Sequence, residues 1–104
     1  MNIIISNHAF KRWRERNSLS YKVSISKVAR QAYAKGETAE SYAGTQFEDF
    51  LNHTAKKFRA DNQFLRVYKN YIFIYGTIGR EVLLITVMEI PEEFFYVKDY
   101  TILK

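Results

Sequence analysis

Three runs dominated by β-branched and aromatic residues, Phe64 to Tyr68, Tyr71 to Gly76 and Val82 to Met88, limit what this chain can fold into more than any other feature. They are joined by Lys69-Asn70 and by Thr77 to Arg80, which contains Gly79. A parallel crossover needs about a dozen residues or more, so these connections imply an antiparallel meander. Alternation places Leu65, Val67, Ile72 and Ile74 on one face, which is expected to receive the helices. The opposite face would carry Arg66, Tyr68, Tyr71 and Tyr75 as a basic and aromatic surface.

Ahead of the meander the hydrophobic period is helical. Asn2 to Ser6 reads as a short strand, and Ser6 or Asn7 can cap the helix that follows. Asn17 to Ser20 breaks that helix. Ile25, Val28, Ala29 and Ala32 then recur at the spacing of one helical face, ending at Gly36, a C′ residue by type. Ser24 is the better cap for this second helix, because Val23 and Val28 then take hydrophobic-staple positions. After a polar stretch, Glu37 to Gly44, Thr45 and Glu48 make a capping box for a third helix that reaches Arg59. Phe47, Phe50, Leu51, Thr54, Ala55 and Phe58 share its buried side. Pro91-Glu92-Glu93 looks like a helix start, whereas Phe94 to Leu103 has the composition of a strand and is expected to be a strand or an irregular tail. Such an apolar tail is expected to pack down or to enter a homodimer interface. The architecture expected is α+β, with an N-terminal short strand and three helices packed on one face of an antiparallel β-meander, in a single domain over residues 1–104.

With 104 residues, 47% hydrophobic and 16% aromatic, the chain suits one compact core. Sixteen Lys and Arg against eleven Asp and Glu leave a formal charge of +5, which favours a polyanionic or acidic partner. The absence of cysteine excludes disulfides, thiolate zinc sites and a cysteine nucleophile. No segment is long enough for a signal peptide or a membrane span, so a cytoplasmic protein without a membrane partner is expected. Two distant histidines, no carboxylate cluster at ligand spacing and no glycine-rich phosphate loop point to no metal and no cofactor.

The stretch from His8 to Arg16 is the strongest chemical signal. His8, Arg12 and Arg16 fall at i, i+4 and i+8 on one helical face, flanked by Lys11 and Arg14. Stacking Arg12 over Arg16 costs a few tenths of a kcal/mol unless an anion sits between them. Phe10 and Trp13 are expected to anchor the helix on the core. The plainer interpretation is a solvated basic face, with Lys11 and Glu15 as an i, i+4 pair. A second basic cluster, Lys56, Lys57 and Arg59, lies at the end of the third helix, where it also complements the helix dipole.

The succession of Ile5, His8, Ala9, Arg12, Glu15 and Arg16, then Val23-Ser24 with Val28, then Arg66-Val67-Tyr68, Tyr71 to Tyr75 and Leu84-Ile85-Thr86-Val87, resembles the RelE/BrnT-like toxin superfamily and its bacterial and phage relatives. The resemblance implies metal-independent RNA cleavage, often on the ribosome and restrained by a neighbouring antitoxin. Such cleavage needs a base near the ribose 2′-OH, an acid near the leaving oxygen, and cations at the phosphate. His8 is the natural proton carrier, and Arg12, Arg16 and Arg66 the phosphate clamp. Lys11, Arg14, Lys56 and Lys57 would hold nucleic acid, and Tyr68 or Tyr71 could stack on a base. Glu15, Tyr68 and His53 are the choices for the second proton carrier, although His53 reads more simply as a surface or satisfied core histidine. The alternative function is a non-catalytic adaptor or inhibitor on the same fold, binding nucleic acid or a protein partner.

Overall fold

A computed structural model describes residues 2–16, 24–57 and 61–95. In chain order the elements are β1 (Ile3–Ile5), α1 (Asn7–Arg16), α2 (Ile25–Lys35), a 3₁₀ turn (Ala39–Tyr42), α3 (Gln46–Lys56), β2 (Asp61–Tyr68), β3 (Tyr71–Ile78), β4 (Glu81–Glu89) and a second 3₁₀ turn (Glu92–Phe94). The fold is α+β, with the short N-terminal strand, three helices and antiparallel meander that the sequence implies. The four strands run in the order β1-β4-β3-β2, and β1 lies parallel to β4. Both hairpins close as tight loops. Tyr68 pairs with Tyr71 around Lys69-Asn70, and Ile78 with Glu81 around Gly79-Arg80. The first loop residue has a positive φ in each, 57° at Lys69 and 59° at Gly79, which lets the loop follow the twist of the strands. None of the helices among the described residues is long and apolar enough to cross a membrane.

Helices cover both faces of this sheet, not one. Leu65, Val67, Ile72 and Ile74 receive α3 and the two 3₁₀ turns through Tyr42, Phe47, Leu51, Ile90 and Phe94. The opposite face, expected to stay open, packs Phe73, Tyr75, Leu84 and Val87 beneath α1 and α2. The reason is compositional: Phe64, Tyr68, Tyr71, Phe73 and Tyr75 form an aromatic layer with too much apolar area to leave in water. Tyr75 is fully buried, and its hydroxyl donates to the Ala29 carbonyl at 2.8 Å, so the one polar atom of that ring is satisfied.

Ser6 positions the first helix. Ile74 pairs with Thr86 and Tyr75 with Leu84, so Ile85 is the extra residue of a bulge in β4. The Ser6 hydroxyl donates to the Ile85 carbonyl at 2.8 Å and accepts from the Ala9 N–H at 2.9 Å. Its own N–H donates to the Leu84 carbonyl at 3.1 Å. One residue therefore caps α1 and satisfies the carbonyl that the bulge releases from the ladder.

The other helices follow their signals with informative differences. Ser24 occupies the N-cap of α2, but its side chain makes no capping bond, and Val23 lies outside the described residues. Gly36 ends α2 with an extended backbone, φ −70° and ψ 158°, not the left-handed turn of a C′ glycine. A Cβ there would sit 2.5 Å from the Ala32 carbonyl oxygen and 2.8 Å from Arg66 Cβ, so glycine is required by close approach to β2. Glu37 then exchanges two backbone hydrogen bonds with Val67, of 2.8 and 2.7 Å, which partly seals the outer edge of β2. Within the stretch read as merely polar, Tyr42 is buried against Phe47. Thr45 caps α3 by accepting from the Glu48 N–H at 3.2 Å, while Glu48 reaches the Gly44 N–H at 3.4 Å. Phe58 and Arg59, expected to close this helix, lie outside the described residues, as does the tail from residue 96. Pro91 leads into the second 3₁₀ turn, and Phe94 packs against Phe47 and Phe50 in place of entering a strand.

Candidate nucleic-acid interface

The first helix seats itself through two residues one turn apart. Ala9 and Trp13 are buried, and the Trp13 ring lies 5.5 Å from Tyr71 and 6.4 Å from Phe73, centroid to centroid. So narrow a buried stripe leaves His8, Phe10, Lys11, Arg12, Arg14 and Glu15 exposed. Phe10 is therefore not an anchor. It follows Ala9 by one residue, about 100° around the helix, and is 48% exposed.

Arg12 and Glu15 form an ion pair of 3.5 Å, with both side chains nearly half exposed. Glu15 thus pairs with Arg12 in place of Lys11, and at such exposure the pair contributes little to stability. The Arg14 guanidinium lies 5.8 Å from the centre of the Phe10 ring. Arg16 is the last residue of α1, and its side chain lies outside the described part of the chain.

Arg66 stands apart from this stripe. Its guanidinium is 5.6 Å from the Tyr33 ring and 5.3 Å from the Phe64 ring, and it donates to the carbonyls of Tyr33 and Leu65 at 3.4 and 2.9 Å. Leu65, like Val67, turns its carbonyl away from β3, so Arg66 folds over the outer edge of β2. There it borders a groove of about 410 Å³ shared with Glu40, Glu48, Asn52 and Gln63. The packing explains its half-burial: the guanidinium sits near two rings and directs donors to backbone oxygens.

Tyr68 and Tyr71 are half-buried cross-strand partners packed on the α1–α2 core, with Tyr71 beside Trp13 and the Lys69 ammonium 5.5 Å from the Tyr68 ring. Lys56, Lys57 and His53 are exposed on α3, across the sheet from α1. The structure therefore unites His8, Lys11, Arg12 and Arg14 on one helix, with Tyr71 at its base, and places Arg66, Lys56, Lys57 and His53 elsewhere. The residue that sequence reasoning missed is Phe10. The spacing of Ser6, Ala9 and Trp13 carries the signal, since those three define the seated face and Phe10 falls outside it, on the side of Asn7 and Arg14. Among the described residues, no three His, Cys, Asp or Glu side chains cluster as metal ligands would. Compared with known proteins, the chain matches no family model, no curated protein and no solved structure.

Proposed function

We propose that this protein binds nucleic acid in the cytoplasm through the exposed face of α1. The observation that carries this reading is the solvent exposure of Lys11, Arg12 and Arg14 on one short helix whose sole carboxylate is Glu15. Helical cations held at fixed spacing neutralise successive phosphates and release their counterions, so affinity falls with salt. Three such contacts give a slope of log affinity against log salt near −2 on single strands and near −3 on duplex. Fluorescence anisotropy of labelled oligonucleotides measures it. In a K11A/R12A/R14A variant the slope should collapse towards zero, and wild-type protein that binds no oligonucleotide at low salt would refute the reading.

The resemblance to RelE-like toxins supports a second reading, metal-independent endoribonuclease activity, and His8 favours it. That imidazole is exposed one turn before Arg12, so a proton carrier stands beside a guanidinium able to hold the reacting phosphate. Cleavage of RNA in the presence of a chelator should then vanish in His8→Ala while binding persists. Binding without cleavage in the wild type instead supports the adaptor.

A further inference from the structure

We infer that the exposed face of α1 takes unpaired nucleotides, with the Phe10 ring as the platform on which a base stacks. The inference rests on the nucleic-acid reading above and narrows it to single strands. A phenylalanine 48% exposed on a helix otherwise seated by Ala9 and Trp13 contributes little to the core. One turn along the helix from it lie the exposed Asn7 and Arg14, and among the described residues no other ring lies against it. A helix that docks in a protein groove presents apolar anchors at i, i+3 or i+4 and i+7. Around Phe10 those positions hold Trp13, which is already buried, Arg14 and Asn17, so the ring has no apolar partner to complete such a stripe.

The surroundings suit a nucleotide. Every base has a π face that an aromatic ring can accept, and a guanidinium beside that ring adds a cationic contact, here from Arg14 at 5.8 Å. Lys11, about 100° round the helix from the ring and next to Arg14 on its solvent side, supplies charge for a flanking phosphate. A base inside a duplex has both faces covered by its neighbours, so Phe10 could not stack on it without unstacking a step. The chemistry thus separates single strands from duplex, whichever sugar they carry.

The test uses the full chain and labelled oligonucleotides of about 12 nucleotides, as RNA, as DNA, as duplex, and as a DNA strand lacking bases but keeping its phosphates. Phe10→Ala should weaken binding to both single strands about 10-fold, leave duplex binding within about twofold and leave the salt slope unchanged. Phe10→Trp should restore single-strand affinity. The base-free strand should bind wild-type protein as weakly as the intact strand binds Phe10→Ala. Because Phe10 is exposed, unchanged urea midpoints will show that the variants fold. If Phe10→Ala binds single strands as wild type does while K11A/R12A/R14A loses binding, the platform is refuted and the nucleic-acid reading stands. If the wild type binds none of the four probes, both fall; preference for one sugar alone, with the Phe10 effect retained, supports the platform and assigns the strand.

Discussion

Replacing Tyr75 by phenylalanine should weaken the protein at neutral pH and strengthen it above about pH 11. The phenol is fully buried, donates to the Ala29 carbonyl at 2.8 Å, and has its pKa raised well above the usual phenol value by burial, with Arg66 opposing that shift and Tyr33 adding to it. Below pH 10 both folded and unfolded chains keep this proton, and the variant lacks only a hydrogen bond worth about 1 kcal/mol. The Ala29 carbonyl lies inside α2 and keeps its helical partner, so nothing larger is lost. Above about pH 10 the unfolded chain releases the proton and the folded chain does not, so wild-type stability falls by about 1.4 kcal/mol per pH unit. One unit into that range the loss is about 1.4 kcal/mol, more than the hydrogen bond contributes, and the two stability curves cross. Urea unfolding followed by circular dichroism between pH 7 and 11.5 measures both curves, and lysine titration cancels in their difference. A difference that stays constant through pH 11.5 would show that the phenol is not held neutral by the fold. Tyr42, pushed up to about 12 by burial and by Glu37, should add to the alkaline loss of the wild type over the same window.

Three other outcomes follow from the packing. Gly36→Ala should cost about 2 kcal/mol in urea unfolding, because its Cβ would sit 2.5 Å from a helical carbonyl and 2.8 Å from Arg66 Cβ. Thr54→Val should raise the thermal midpoint by the equivalent of about 1 kcal/mol, since the buried Thr54 hydroxyl has no hydrogen-bond partner among the described residues. Arg66→Ala should lower stability by about 1–2 kcal/mol through lost ring and carbonyl contacts, yet leave the salt slope of oligonucleotide binding unchanged. A changed slope would place Arg66 among the phosphate contacts.

Local signals in this sequence translate well into structure. The two short connections dictate antiparallel pairing, and Thr45 before Glu48 starts a helix at the expected residue. Ser6 caps α1 for the reason its side chain suggests. Long-range facts were less legible. Nothing local in Ile3–Ile5 says that it pairs parallel with Val82, Leu83 and Leu84. Arg66, Tyr68, Tyr71 and Tyr75 read as an open polar face because each side chain bears a polar atom, yet burial of Tyr75 needs only an acceptor, which Ala29 supplies from α2. The same applies to the candidate site. His8, Lys11, Arg12 and Arg14 stay together because one helix holds them, whereas Arg66 shares only their chemical type and packs near Tyr33 and Phe64. Hydrophobicity alone places Phe10 in the core, whereas its helical phase leaves it exposed.

The link from Ser6 to the β4 bulge has a temporal consequence. Ser6 finds its partners in Leu84 and Ile85, 79 positions later for the hydroxyl bond, and β1 pairs with the same strand. A ribosome must therefore release most of the polypeptide before the basic helix gains its seat, and a chain truncated ahead of β4 will leave that helix without its dock. Seating of α1 is thus coupled to synthesis of β4, so shorter copies carry the charges of α1 on a segment that has no dock.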